Sequence, residues 1–170
     1  MDLKEKIRDI PDFPKQGILF RDITTLLKDG ESFAWVVEEL VDRYSGKKID
    51  LVAGIESRGF IFGAALACRL NKGFVPIRKP GKLPAKTVSA EYALEYGSDR
   101  IEMHVDAVKA GDRVLLIDDL LATGGTMDAA CNLVKDTGGD IVECAFVIEL
   151  AFLNGRDRVK GVDVYSMVTY

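Results

Sequence analysis

Apolar positions along the chain follow two patterns. Over residues 31–44, Phe33, Val36, Val37, Leu40 and Val41 recur at helical spacing, the signature of an amphipathic helix with one buried face. Further on, short apolar runs alternate with small-residue stretches of helical period. The runs at 49–55, 74–78, 114–117, 141–149 and 162–168 predict strands. Residues 58–70 and 126–136 predict helices, the second stopped by Gly138 and Gly139. Residues 2–10 read as a short helix. Residues 11–25, with two prolines and a glycine, read as an irregular segment. Strands with almost no polar interruption are buried on both faces. Their alternation with helices therefore predicts an α/β fold, a central parallel sheet of about five strands flanked by helices. No internal repeat or low-complexity linker divides the chain, which reads as a single domain, 1–170.

Ligands of such sheets bind at the carboxyl ends of the strands. Charge gathers at those ends: Glu56-Ser57-Arg58-Gly59, then Arg78-Lys79-Pro80-Gly81-Lys82, then Asp118-Asp119, then Glu149. Residues 79–104 break the alternation. A segment this long with little apolar content is usually functional, and it reads as a mobile lid in which 92–96 and 100–104 pair as a polar hairpin.

Composition narrows the classes. With 48% hydrophobic and 29% charged residues the chain is globular rather than disordered. Twenty-three basic against 27 acidic residues leave a net charge of −4, which argues against a generic nucleic-acid binder. No run of 18 apolar residues spans a membrane. The opening MDLKEKIRDI is charged, without an apolar signal core, so a cytoplasmic location is expected. Cys68, Cys131 and Cys144 form no CxxC pair and are expected to be buried thiols. A lone histidine, His104, argues against a metal cage built from protein ligands and is given no catalytic role.

The most informative stretch is 114–126, VLLIDDLLATGGT. A buried strand ends in two carboxylates, followed by a glycine turn that opens a helix. Paired carboxylates accept hydrogen bonds from a vicinal diol and suit a nearby Mg²⁺. Unobstructed N–H groups at a helix N-terminus suit a phosphate. The combination describes a site for a ribose 5-phosphate. Neither GxxxxGK[ST] nor GxGxxG occurs, which excludes a P-loop enzyme and a dinucleotide-binding fold. In a response-regulator receiver the Asp pair stands early in the chain, and here only about 50 residues follow it.

This stretch resembles the phosphoribosyl pyrophosphate motif of the type I phosphoribosyltransferases. Gly17–Asp22 (GILFRD), Gly54–Phe60 (GIESRGF), the segment from Arg78 to Pro84 (RKPGKLP) and the segment from Leu94 to Gly97 (LEYG) stand in the order of the adenine-specific members. The resemblance implies a type I phosphoribosyltransferase fold with an N-terminal helix and base-binding hood at 1–30 and a lid at 79–104. It implies a Mg²⁺-dependent transfer that turns adenine and phosphoribosyl pyrophosphate into AMP and pyrophosphate, in purine salvage, by a homodimer. Asp118 and Asp119 would face the ribose hydroxyls, and Ala122, Thr123, Gly124, Gly125 and Thr126 would hold the 5-phosphate. Mg²⁺ would be held mainly through substrate oxygens. Glu56, Ser57, Arg58, Gly59, Arg78, Lys79 and Lys82 would surround pyrophosphate, with a cis peptide at Glu56–Ser57 and Arg78 reaching across the dimer. Arg58 and Glu95 would be the catalytic pair, Glu95 near the purine N7 and Tyr96 sealing the lid. Leu19, Phe20, Arg21 and Leu150 would hold adenine. Pro80 departs from the pattern, standing where a basic or polar residue is expected.

Two other readings keep the same donor site. One is transfer to a 6-oxopurine: hypoxanthine, guanine or xanthine. The other is a regulator that binds the donor without chemistry, which would be expected to carry a DNA-binding extension or a basic face.

Overall fold

The computed structural model describes residues 1–93 and 97–170. Two compact units divide the chain, Met1–Arg43 and Tyr44–Tyr170.

The first unit departs from expectation. The region read as one helix is a single 3-10 turn, Leu3–Lys6, followed by strand β1, Arg8–Pro11. The region read as irregular contains β2, Leu19–Asp22, antiparallel to β1 with Arg8 opposite Asp22 and Pro11 opposite Leu19. Pro11 cannot continue a helix, and a polar pin favours the hairpin instead. The Asp22 carboxylate accepts from Arg8 Nη2 (2.5 Å), the Thr24 N–H (2.9 Å) and the Thr24 hydroxyl (2.7 Å). The Thr24 amide first, then Arg8, hold its pKa down at about 2. Helices α1, Thr24–Lys28, and α2, Gly30–Tyr44, follow, and α2 buries Val36, Val37 and Leu40 as its spacing predicts.

The second unit holds the parallel sheet. Its strands are β3 (Leu51–Ile55), β4 (Gly73–Ile77), β7 (Arg113–Leu121), β8 (Asp140–Glu149) and β9 (Val164–Thr169), in the order β4-β3-β7-β8-β9. Every pairing is parallel. Helix α3, Arg58–Arg69, lies on the face that carries Ile117. Gly63 permits this approach, since a Cβ there would stand 2.8 Å from both Ile117 and Phe74. Helix α4, Gly125–Asp136, packs Met127, Cys131 and Val134 into one cluster with Val114 and Leu116 of the opposite face. The sheet flanked by helices is the architecture the sequence predicts.

Three details differ. Strand β7 runs four residues beyond 117, so Asp118 and Asp119 lie within the strand and not at its end. The hairpin of 79–104 consists of β5, Thr87–Ala93, and β6, Ser98–His104. It is not polar throughout, because Tyr92, Ile101 and Met103 join the core cluster. Cys68 is exposed on the outer side of α3, while Cys131 and Cys144 are buried with their sulfurs 3.6 Å apart. No helix among the described residues is long and apolar enough to cross a membrane.

Candidate active site

From β3 the chain moves outward to β4 on one side. From β7 it moves to β8 and β9 on the other. The direction therefore reverses between β3 and β7, and ligands of open parallel sheets bind at the carboxyl ends flanking such a switch. Each of these two strands is followed by a loop opening a helix, 56–57 before α3 and 122–124 before α4.

The β3–α3 loop is held by charge. Its Glu56–Ser57 peptide is cis, as the resemblance implied. The Glu56 carboxylate accepts from Arg78 Nε (3.1 Å), Arg78 Nη2 (3.3 Å) and the Lys79 N–H (3.1 Å), with Lys82 Nζ at 3.5 Å. Burial pushes Glu56 up, but Arg78, the Lys79 amide and Lys82 outweigh it and leave the group below the usual carboxylate range. Lys79 turns the other way. Its ammonium donates to Asp99 and to the Tyr92 hydroxyl (2.9 Å), which itself donates to Asp99 (3.0 Å). The basic trio expected from sequence is thus assembled at one strand end, with each member already opposite a carboxylate.

Asp118 and Asp119 are consecutive residues of β7 whose carboxyls take different partners. Asp119, 4% exposed, accepts from Arg58 Nε at 2.5 Å, a link between the first residue of α3 and the end of β7. Asp118 accepts the Asp119 N–H (2.9 Å). It lines a cavity of about 140 Å³ with Ile55, Glu56, Lys79, Tyr92, Ile101 and Thr126. A smaller cavity of about 80 Å³ lies between Asp118 and residues 120–127. Burial first, and the Asp119 charge second, push the Asp118 carboxyl well above its ordinary range, with Arg58 opposing. Gly59 makes the close approach possible: a Cβ there would stand 2.8 Å from the Ile117 carbonyl and 2.9 Å from Asp118 Oδ1.

The β7–α4 loop is held by shape. Gly124 caps α4 at φ +82°, a left-handed conformation natural to glycine. A Cβ there would strike the Gly155 carbonyl, and one on Gly155 would strike the Ala122 carbonyl. Gly155 is a site-building residue that sequence reading missed. Its only signal was the Asn-Gly pair at 154–155, an ordinary turn. The Asn154–Arg158 turn is tied to the sheet by Arg156, which donates to Glu149 at 2.7 and 2.6 Å and to the Val164 carbonyl at 2.7 Å. The strand-end charge at Glu149 is spent in that bridge, and Arg156 keeps its carboxylate below the ordinary range.

A family model described as the phosphoribosyl transferase domain matches residues 24–167. The chain belongs to the phosphoribosyl transferase family. Among phosphoribosyltransferases it is 60% identical over 168 residues to the adenine phosphoribosyltransferase of Acidobacterium capsulatum, covering 99% of this chain and 93% of that protein. The crystal structure of adenine phosphoribosyltransferase from Thermoanaerobacter pseudethanolicus matches with a TM-score of 0.96 at 53% identity, covering 99% of this chain and 98% of that one. The Saccharomyces cerevisiae enzyme, complexed with adenine and an imino-altritol bisphosphate, matches with a TM-score of 0.92 at 40% identity, covering 98% and 97%.

The base-side residues expected of this phosphoribosyltransferase come from different elements. Leu19, Phe20 and Arg21 lie on β2. Pro11 has no N–H, so its pairing with Leu19 is not a mutually hydrogen-bonded one. By the alternation of antiparallel ladders, neither is Asp9 with Arg21. Leu19 and Arg21 therefore turn their N–H and C=O groups to the outer edge of this two-stranded sheet. The half-buried Phe20 ring meets Phe13 edge-on at 5.1 Å, and the Arg21 side chain pairs with Asp9. Leu150 follows β8, its N–H donating to the Leu121 carbonyl (2.9 Å). Glu95 and Tyr96 lie outside the described residues. His104 accepts the Ala85 N–H at Nε2 (3.3 Å). Among the described residues no three His, Cys, Asp or Glu side chains gather around one point. Asp118 lines both cavities and Glu56 one of them, so each is a carboxylate that a Mg²⁺ entering on substrate oxygens would meet.

Proposed function

We propose that this protein transfers the phosphoribosyl group of phosphoribosyl pyrophosphate to N9 of adenine, giving AMP and pyrophosphate. The observation that carries the reading is the glycine-built α4 N-terminus at the sheet's switch point, in a chain alike over almost its whole length to adenine phosphoribosyltransferases.

The 5-phosphate sits on the open N–H groups of Ala122–Thr126. Asp118 accepts a hydrogen bond from a ribose hydroxyl. Arg58, Arg78, Lys79 and Lys82 supply the positive field in which charge grows on the leaving pyrophosphate. Their carboxylate partners keep them placed before substrate arrives. A Mg²⁺ held beside Asp118 would neutralise part of the same charge. The outward backbone of Leu19 and Arg21 offers a donor and an acceptor to the adenine edge, with Phe20 and Leu150 as apolar surfaces. A 6-oxopurine would set acceptor against acceptor, costing about 1–3 kcal/mol for each group left unpaired. Glu95 is assigned the purine N7 proton by family resemblance. The working form is a cytoplasmic homodimer.

Product formation from phosphoribosyl pyrophosphate, Mg²⁺ and each of adenine, hypoxanthine, guanine and xanthine tests this directly. AMP alone is expected. IMP, GMP or XMP would keep the donor site and overturn the base assignment. Donor binding without any nucleotide product would move the protein to the regulators.

A further inference from the structure

A phosphomonoester carries about −1.5 to −2 charges at neutral pH, whereas a helix N-terminus supplies only about +0.5. The Ala122–Thr126 loop contains no cation, and Asp118, Asp119 and Asp128 all stand close to it in sequence. Arg58 is engaged by Asp119, and Lys79, which lines a cavity with Thr126, by Asp99. A dianion on this loop therefore lacks a compensating charge from the motif itself.

The turn docked on the loop provides one. Arg158 donates its backbone N–H to the Gly155 carbonyl (3.2 Å), so its Cα rides on the same contact that seats Gly124. Its side chain runs along the loop. A Cβ built on Gly124 would lie 3.1 Å from Arg158 Cβ, and one on Gly125 would lie 3.8 Å from Arg158 Cζ. The guanidinium thus stands beside the first residue of α4. Within the same turn the two arginines have different fates. Arg156 is committed to Glu149 and Val164. Arg158 is exposed, and among the described residues its guanidinium has no hydrogen-bond or ion-pair partner, although Asp128 and Asp157 line the same open surface pocket. An uncommitted guanidinium on an anchored backbone beside a phosphate loop suits a forked donor to phosphate oxygens.

We infer that Arg158 is a binding residue for the 5-phosphate of the phosphoribosyl donor, reaching the anion from outside the motif. The inference rests on the donor-site reading above. Titrating ribose 5-phosphate and, separately, pyrophosphate into wild type, Arg158→Gln and Arg158→Lys tests it. Ribose 5-phosphate should bind the Gln variant about tenfold more weakly. The Lys variant should recover part of the loss, with pyrophosphate affinity and thermal midpoint unchanged in both. Equal ribose 5-phosphate affinity in wild type and Arg158→Gln would overturn the role of Arg158 while leaving the donor site intact. Equal weakening of ribose 5-phosphate and pyrophosphate would reduce Arg158 to a general field effect and also overturn it. Absence of ribose 5-phosphate binding to wild type would instead sink the donor-site reading, and Arg158 with it.

Discussion

The two loops at the switch point do similar work by opposite means. Ala122–Gly125 is seated by backbone against backbone, glycine on glycine, on a turn whose own anchor is the Arg156–Glu149 pair. The loop at Glu56–Ser57 is latched by side chains: Glu56 by Arg78 and Lys82, and the following Arg58 by Asp119. A loop that must receive a small dianion on its amides benefits from a bare, fixed backbone. A loop around which larger charge comes and goes benefits from cations that can be handed from carboxylate to substrate. The first arrangement should fail sterically and regardless of salt. The second should fail electrostatically, in steps.

Gly124→Ala is the sharpest test of the steric half and has the largest expected effect. The left-handed backbone costs a residue with a Cβ about 1–2 kcal/mol. Forcing the methyl past the Gly155 carbonyl adds overpacking of about 1–3 kcal/mol. Together these predict about 3 kcal/mol lost, which in a domain of this size lowers the melting temperature by roughly 6–12 °C. Calorimetry at low and high salt should show the same drop. A salt-dependent drop, or none, would show that the loop is not held by shape.

These two loops were also unequally legible in the sequence. The glycine turn after two carboxylates could be read because close backbone approach leaves few residue choices. What it docks against could not, since Gly155 is about 30 residues away and resembles any turn glycine. The charges around Glu56 were visible, but which carboxylate holds which cation depends on β4 meeting both β3 and the hairpin, a tertiary fact. The parallel sheet announced itself through continuous apolar runs. The β1–β2 hairpin did not, because its strands are four residues each and stabilised by Asp22, Arg8 and Thr24 rather than by an alternating apolar face. Cys68 was misjudged because it follows the buried Leu66 and Ala67, yet helical rotation turns it to solvent.

Asp118 and Asp119 test the junction of the two loops, with effects of intermediate size. Both are expected to face the ribose, and they differ in what holds them: Arg58 engages Asp119, whereas Asp118 lines the two cavities. Asp118→Asn should lower kcat/KM for the phosphoribosyl donor by about 10- to 100-fold, the scale of one charge-assisted hydrogen bond, with little change in melting temperature. Asp119→Asn releases Arg58 and should in addition cost stability of about 1–2 kcal/mol, because the carboxylate is buried and the guanidinium half-exposed. Indistinguishable kinetic and stability profiles for the two variants would return them to a shared role and erase the division between the loops.

The smallest effect belongs to the Glu56 latch. Its folded pKa lies below the unfolded value, so the latch contributes stability that is fully present above the ordinary carboxylate range. That contribution is lost as pH falls through the lowered folded pKa. Glu56→Gln removes the charge while keeping an acceptor for Arg78. Urea midpoints for wild type and variant should therefore separate above about pH 5, with wild type the more stable, and converge as pH drops well below the usual carboxylate range. Arg78 and Lys82 are partly exposed, which limits the gap to below about 1 kcal/mol and makes it shrink in high salt. Curves that stay parallel at every pH would mean that Glu56 holds its loop by shape alone, as Gly124 does, and the contrast between the two loops would be lost.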